Sequence, residues 1–231
     1  MSKKKWIVAA IAVVVVVLAV IGGTALYAKI QNDRAPEELG LSTTEPGDDS
    51  ADSDTGPTGD AEDLTGDWTI SDGSAAGYRV DEVLNGQDVT VVGRTSDVTG
   101  TVTVDGTEVS AADVEVDMTT ITTDSSNRDD QFLSILSTDE FPTATFSLTS
   151  PMDVAAITDG VAAVEGTGDL TIAGVTQSVT VSFEAQSTAD GVEVSGTVPV
   201  AFSDYGIEAP DLGFVKVEDT GTVEMLLVLT R

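Results

Sequence analysis

Arg79, Arg94, Arg128, Lys216 and Arg231 are the only cations after residue 35 of this chain, and thirty-nine of its forty carboxylates share that stretch. Histidine and cysteine are both absent from the 231 residues. The usual general base, the thiol nucleophile and the commonest transition-metal ligands are therefore missing, and no disulfide can form. Lys216 stands in no phosphate-binding loop, and no G-x-S-x-G occurs. Gly166-Thr167-Gly168 is followed by Asp169 and Leu170, which reads as a strand-edge turn and not as a dinucleotide fingerprint. Carboxylate pairs are frequent, but forty acids make some pairs inevitable. A glycosidase would want an aromatic-lined cleft, and one of only two tryptophans, Trp6, lies in an apolar N-terminal run. The sequence predicts no enzyme and no cofactor.

Binding chemistry is what remains. Residues 127–146, N-R-D-D-Q-F-L-S-I-L-S-T-D-E-F-P-T-A-T-F, hold three of the six phenylalanines together with Arg128. Apolar residues at 132, 133, 135 and 136 do not follow strand spacing. Asp124-Ser125-Ser126-Asn127 offers N-cap candidates, so the pattern predicts a short helix over Arg128 to Leu136. Pro142 ends any helix before it. This helix and its loop are expected to lie across an end or seam of a sheet.

The sheet is written in period two. T-V-T-V (101–104), D-V-E-V-D-M (113–118), S-V-T-V-S-F-E (178–184), V-E-V (192–194) and T-V-P-V-A-F (197–202) alternate apolar with polar residues, the mark of half-buried strands. Asn85-Gly86, Asp105-Gly106, Asp159-Gly160, Ala173-Gly174 and Asp190-Gly191 supply tight turns between them. T-V-E-M-L-L-V-L-T closes the series. About eight strands result, an antiparallel sandwich or closed barrel.

Two segments precede this β domain. M-S-K-K-K leads into an uncharged run from Trp6 to Ala28, whose twenty-three residues span about 34 Å as a helix, enough to cross a bilayer. Trp6 and Tyr27 flank it where amphipathic rings favour the interface. The lysines stay in the cytoplasm, so residues 1–30 are expected to form a single-pass anchor with the β domain outside the cell membrane. A cleaved signal peptide is the alternative, but the run is long and lacks a small-residue cleavage site. Residues 31–66 are acidic, rich in Gly, Pro, Ser and Thr, and poor in large apolar side chains; they read as a disordered linker. Within it, G-D-D-S-A-D-S-D-T-G-P fails the EF-hand template, because Gly56 falls at a ligand position and no glutamate closes the loop. The domain proper is then 67–231. Its strongly acidic balance makes nucleic acid and anionic headgroups poor partners.

The segments S-A-A-G-Y-R-V-D-E (74–82), V-V-G-R-T (91–95), A-D-V-E-V-D-M-T-T-I-T-T-D (112–124), N-R-D-D-Q-F-L (127–133), F-P-T-A-T-F (141–146), G-D-L-T-I-A-G-V-T-Q-S-V (168–179) and F-S-D-Y-G-I (202–207) occur in that order. The series resembles the YceI-like family of extracytoplasmic lipid-binding proteins. The resemblance implies an eight-stranded antiparallel, lipocalin-like barrel holding a polyisoprenoid chain, such as an isoprenoid quinone, without catalysis. A barrel of that size leaves room for packed side chains or one slim ligand. On this reading Phe132, Leu133, Ile135, Leu136 and Phe141 form a lid, and Phe146, Phe183 and Phe202 supply inner-wall rings. Arg128 either meets a polar ligand head or pairs with Asp129, Asp130 or a strand carboxylate. Arg79 and Arg94 carry the same two readings. Tyr78 and Tyr205 either donate to a quinone oxygen or cap the rim. Many relatives place histidine near the first strand and in the R-D-x-H-L position; here Gln131-Phe132 occupies the latter, so no histidine role carries over. A different class of function also fits the pattern, a solid-core β domain acting in surface interaction or envelope stress. The sequence leaves open whether the domain is a monomer or a dimer.

Overall fold

Val, Thr and Ile dominate the alternating runs, and β-branched side chains favour extended backbone. The computed structural model describes residues 23–42 and 64–231. In chain order a helix (α1, 23–34) is followed by β1 (Gly66–Ile70), β2 (Ala75–Leu84), β3 (Gln87–Thr95), β4 (Val98–Asp105), β5 (Glu108–Asp117) and a second helix, α2 (Ser126–Ile135). Then come β6 (Thr143–Leu148), β7 (Met152–Asp153), β8 (Ala162–Ile172), β9 (Val175–Ser187), β10 (Val192–Ala201) and β11 (Val215–Thr230).

All neighbouring strands are antiparallel. The order β1-β4-β5-β6-β8-β9-β10-β11 closes on itself through Thr69↔Thr230 and Ile70↔Leu229. This is an eight-stranded barrel. β2 continues β1 along the same edge of β11, and β3 pairs with β2, so the wall extends upward beyond the closed ring. Closure removes the edges of the eight-stranded ring that would otherwise template aggregation and leaves the outer edge of β3. The Asn85-Gly86 and Ala173-Gly174 turns both take positive φ at each residue, the two-residue geometry that matches strand twist.

Up and down the barrel, the turns sort into two ends. One carries Asn85-Gly86, the 118–142 segment with α2, Ala173-Gly174 and the 202–214 loop. The other carries Asp105-Gly106, 154–161 and 188–191. Inward Trp68, Val102, Val104, Val109, Phe183, Leu227 and Leu229 close the second end with buried apolar side chains.

Gly166 and Gly168 do not form a turn. Both lie inside β8, because rings occupy the space a side chain would need: a Cβ at Gly168 would overlap the ring of Phe146, and one at Gly166 would stand 2.9 Å from Phe183 Cε2. Gly196 on β10 makes room for the other side of Phe183 in the same way. Phe146 and Phe183 meet edge to face at 6.3 Å.

The linker expectation changes for residues 31–42. Helix α1 runs on to 34, and the chain then lies down the outside of the barrel from the α2 end toward the opposite end. Asn32 donates to Asp88 O and accepts from Thr90 N. Pro36 O and Glu37 O accept from Arg79 and Arg94. Leu39 N donates to Glu224, and Ser42 donates to Glu193 through both its amide and its hydroxyl. Hydrogen bonds from main-chain groups and from the Asn32 and Ser42 side chains, not apolar burial, hold this strap, so its polar composition did not disclose it. The rest of the expected linker, 43–63 with its acidic G-D-D-S segment, and most of the expected anchor, 1–22, lie outside the described residues. Among the described residues no helix is long and apolar enough to cross a membrane.

Candidate functional site: a cavity at the α2 end of the barrel

Helix α2 begins where Ser125 O accepts from the amides of Arg128 and Asp129. The Ser125 side chain does not cap it. Asp129 reaches back instead, accepting from Thr123 N and Thr123 Oγ1, both at 2.7 Å. That ties the first turn of the helix to the preceding loop. The helix thereby crosses the open side of the barrel, where β3 has no strand partner beyond β2. Arg94 and Thr122 form the only bridge on that edge among the described residues.

Beneath α2 lies a cavity of about 520 Å³. Its walls are mainly apolar: Ala76, Val80, Val114, Val116, Ile121, Ala144, Leu170, Ile172, Val200, Val223 and Met225 from the strands and loops, with Phe132 and Leu136 above them. Ala76 and Leu84, eight residues apart on β2, both face it. At about 3.3 Å per residue that is roughly 26 Å along the strand. With the tilt of about 40° usual in barrels, the depth is roughly 20 Å. A second, wholly apolar space of about 80 Å³ lies toward the other end, and Val114, Phe146 and Met225 border both. A lumen filled throughout by its own side chains, the alternative expectation, describes only that far end.

Polar groups sit at the mouth. Arg128 donates to Glu82 Oε1 at 3.1 Å and to Asp124 Oδ1 at 2.5 Å. Asp124 Oδ2 also accepts from Gln31 on α1. Strand β2, α2 and α1 are thus joined by one charge-assisted network. Tyr78 stacks on Phe132 with centroids 4.9 Å apart and planes within 5°. Burial pushes its phenol well above the ordinary tyrosine range, with Arg128 pulling the other way. Tyr205, in the one-turn helix Phe202–Tyr205, is buried at the cavity wall, and its hydroxyl has no hydrogen-bond partner. Burial raises its phenol too.

The residues singled out from the sequence separate into four groups. Tyr78, Arg128, Phe132, Leu136, Phe146, Phe202 and Tyr205 are brought together around the main cavity. Phe183 lines the smaller space instead. Leu133 and Phe141 line neither; Phe141 covers the Ala173-Gly174 turn, its Cε1 2.5 Å from the position a Gly174 Cβ would take. Arg79 reaches the edge of the cavity, but its charge, like that of Arg94, is turned to the outer face of the barrel. There both pair with Glu224, Arg79 Nε at 2.7 Å and Arg94 Nη2 at 2.5 Å. Glu224 is fully buried. It stands opposite Gly77, which in turn stands opposite Arg94, so the three side chains project from one face. Burial lowers the Arg94 pKa, and Glu224 opposes that shift. Of the two readings for each arginine, the geometry realises the carboxylate pair. Sequence reasoning missed Glu82, Tyr27, Leu212 and Phe214, which all face the cavity. Phe214 carried a legible signal, an aromatic in a loop where alternation lapses.

An antiparallel barrel, packed at one end, hollow and apolar at the other, with a helix across the opening, is the architecture of a lipocalin-like binding protein. Residues 68–229 match the YceI-like domain model, and the chain belongs to that family. Among solved structures it is similar to a polyisoprenoid binding domain from Saccharophagus degradans implicated in plant cell wall breakdown. The two share 17% identity at a TM-score of 0.57, covering 71% of this chain and 97% of that one. It is also similar to BcnA of Burkholderia cenocepacia, with 19% identity, a TM-score of 0.53, and coverage of 67% and 96%. At such identities the likeness concerns the fold alone. No curated protein matches the sequence significantly.

Proposed function

We propose that this protein is a non-catalytic carrier that holds an isoprenoid lipid or isoprenoid quinone in the cavity under α2. The cavity carries the reading: about 520 Å³ of space, mostly apolar-walled and roughly 20 Å deep on the strand-rise estimate. An isoprenoid tail gains about 25 cal/mol for each Å² of apolar surface it removes from water, and needs no specific partner along its length. The polar groups lie where a head would stop, with the unpartnered Tyr205 hydroxyl as a donor to an oxygen. The family and the polyisoprenoid binding relative support the same class of ligand.

On the same reading Trp6–Ala28 is an uncleaved anchor, with the N-terminus cytoplasmic and the barrel on the outer side of the cell membrane. This rests on the length of the uncharged run and the lysines before it. Native mass spectrometry of protein purified from its own host tests the carrier function. An added mass matching a polyprenyl lipid or quinone is expected. A uniformly empty protein that also takes up no added isoprenoid quinone refutes it.

A further inference from the structure

Exposed apolar side chains cluster at one end of this molecule. Of the seven large ones in the described residues, Tyr27, Ile135, Leu212 and Phe214 border the mouth of the cavity. Ile30, three residues after Tyr27, shares its side of α1, and Leu26 lies one turn before Ile30 on the adjoining face. Only Val161 lies at the opposite end. Leu212 and Phe214 keep 56% and 59% of their surface in water although their loop is tied down. Phe214 O accepts from Asn85 N at 2.7 Å, and Leu212 N donates to Val215 O at 2.8 Å. An apolar rim held in place and left uncovered marks an interaction surface.

The chain itself indicates what covers it. Helix α1 is clamped to the rim by Gln31 on Asp124 and by Asn32 on β3. Its first described residue, Gly23, is nine residues before Asn32, about 14 Å along a helix. The uncharged run from Trp6 ends at Ala28, inside α1, and Lys29 is the first charge after it. A spanning segment that stops there puts the outer surface of the bilayer level with Tyr27 and Lys29, which is the level of the mouth. We propose that the α2 end of the barrel rests on the outer leaflet, with Leu26, Tyr27, Ile135, Leu212 and Phe214 in the interfacial layer, so that the cavity opens directly onto lipid. This rests on the anchor reading above. The acidic domain repels anionic headgroups, so contact is through apolar side chains and a zwitterionic surface suits it. A lipid ligand then moves between bilayer and barrel without crossing water.

Because the chain has no cysteine, single labels can be placed cleanly. The full chain is reconstituted into phosphatidylcholine vesicles carrying nitroxide-labelled lipid. A fluorophore is attached in turn at Leu212→Cys, Phe214→Cys and, as the far-end control, Val161→Cys. Quenching several-fold stronger at the first two positions than at Val161 is expected. In a Leu212→Asp/Ile135→Asp background the Phe214→Cys label loses most of its quenching while the protein still floats with the vesicles. Co-flotation with equal quenching at both ends overturns the docking and leaves the anchor standing. Failure to co-float overturns the anchor, and the docking with it. Excimer emission from pyrene at Phe214→Cys, without quenching by lipid, assigns the rim to a second copy and overturns the proposal.

Discussion

Ala144→Phe separates a hollow barrel from a filled one. Ala144 is a buried residue of β6, opposite Val116, and faces the cavity beside Leu136 and Phe146. A phenyl ring there introduces about 150 Å² of apolar surface and, unlike an indole, brings no polar atom that needs a partner. In a filled interior the extra carbons overpack the core and cost about 1–3 kcal/mol. In a hollow one the ring enters the lumen, and the ligand-free protein keeps or gains stability. The ligand then loses the same 150 Å² of contact, which at about 25 cal/mol per Å² is about 4 kcal/mol. That corresponds to nearly three decades in dissociation constant. Two measurements suffice: the denaturant midpoint of delipidated protein, and isoprenoid quinone uptake by native mass spectrometry. Unchanged stability with uptake almost abolished is expected. A clear loss of stability with uptake intact would refute the reasoning, because it would mean that the space is not the binding site and that the interior there is already full.

Other substitutions probe the surroundings of the site. Glu224→Gln leaves Arg79 and Arg94 side by side without their counter-charge; removing one partner of a buried ion group costs about 3–5 kcal/mol. The low end applies because both arginines keep about a fifth of their side-chain surface in water. The urea midpoint should fall, and residues 36–39 should become protease-sensitive; an unchanged midpoint contradicts the assignment. Tyr205→Phe removes a buried hydroxyl that has no partner in the ligand-free protein. An unsatisfied buried group costs about 1–3 kcal/mol, so thermal stability should hold or rise. Binding of a quinone should weaken, and binding of a polyprene without an oxygen should not; equal weakening of both rules out a head-group role. The Ser42 hydroxyl, ahead of Gln186 and the Ser42 amide, holds the Glu193 carboxyl below its ordinary value of 4.5 although partial burial opposes it. A folded-state pKa depressed in this way gives stability that is complete above the ordinary value and lost as pH falls through the depressed one. The gap in melting temperature between wild type and Ser42→Ala should therefore be constant near neutrality and close on acidification. A gap that persists in strong acid contradicts the clamp.

The helix over 126–135 and the strands were legible because their signals are local. Period-two alternation, β-branched side chains and Asn-Gly or Asp-Gly turns act over a few residues, and Pro142 stops a helix wherever it stands. The order of motifs from 74 to 207 added the barrel topology. Seven of the twelve residues chosen as site candidates came together around one cavity: Tyr78 and Phe146 as inward strand positions, Arg128, Phe132 and Leu136 through α2 and its C-terminal end, and Phe202 and Tyr205 through the one-turn helix after β10. Arg94 was illegible for the complementary reason. Its direction depends on the register that sets it opposite Gly77, and Gly77 opposite Glu224, almost one hundred and fifty residues further on. Tertiary structure alone decided the strap, because backbone carbonyls of Pro36 and Glu37 meet arginines from β2 and β3, and composition records only side chains. It also decided the hollow. Whether a barrel is filled depends on the sum of inward volumes and on where glycines let rings lie flat, as Gly168 does for Phe146; packing is a property of the closed wall, not of any one strand in it.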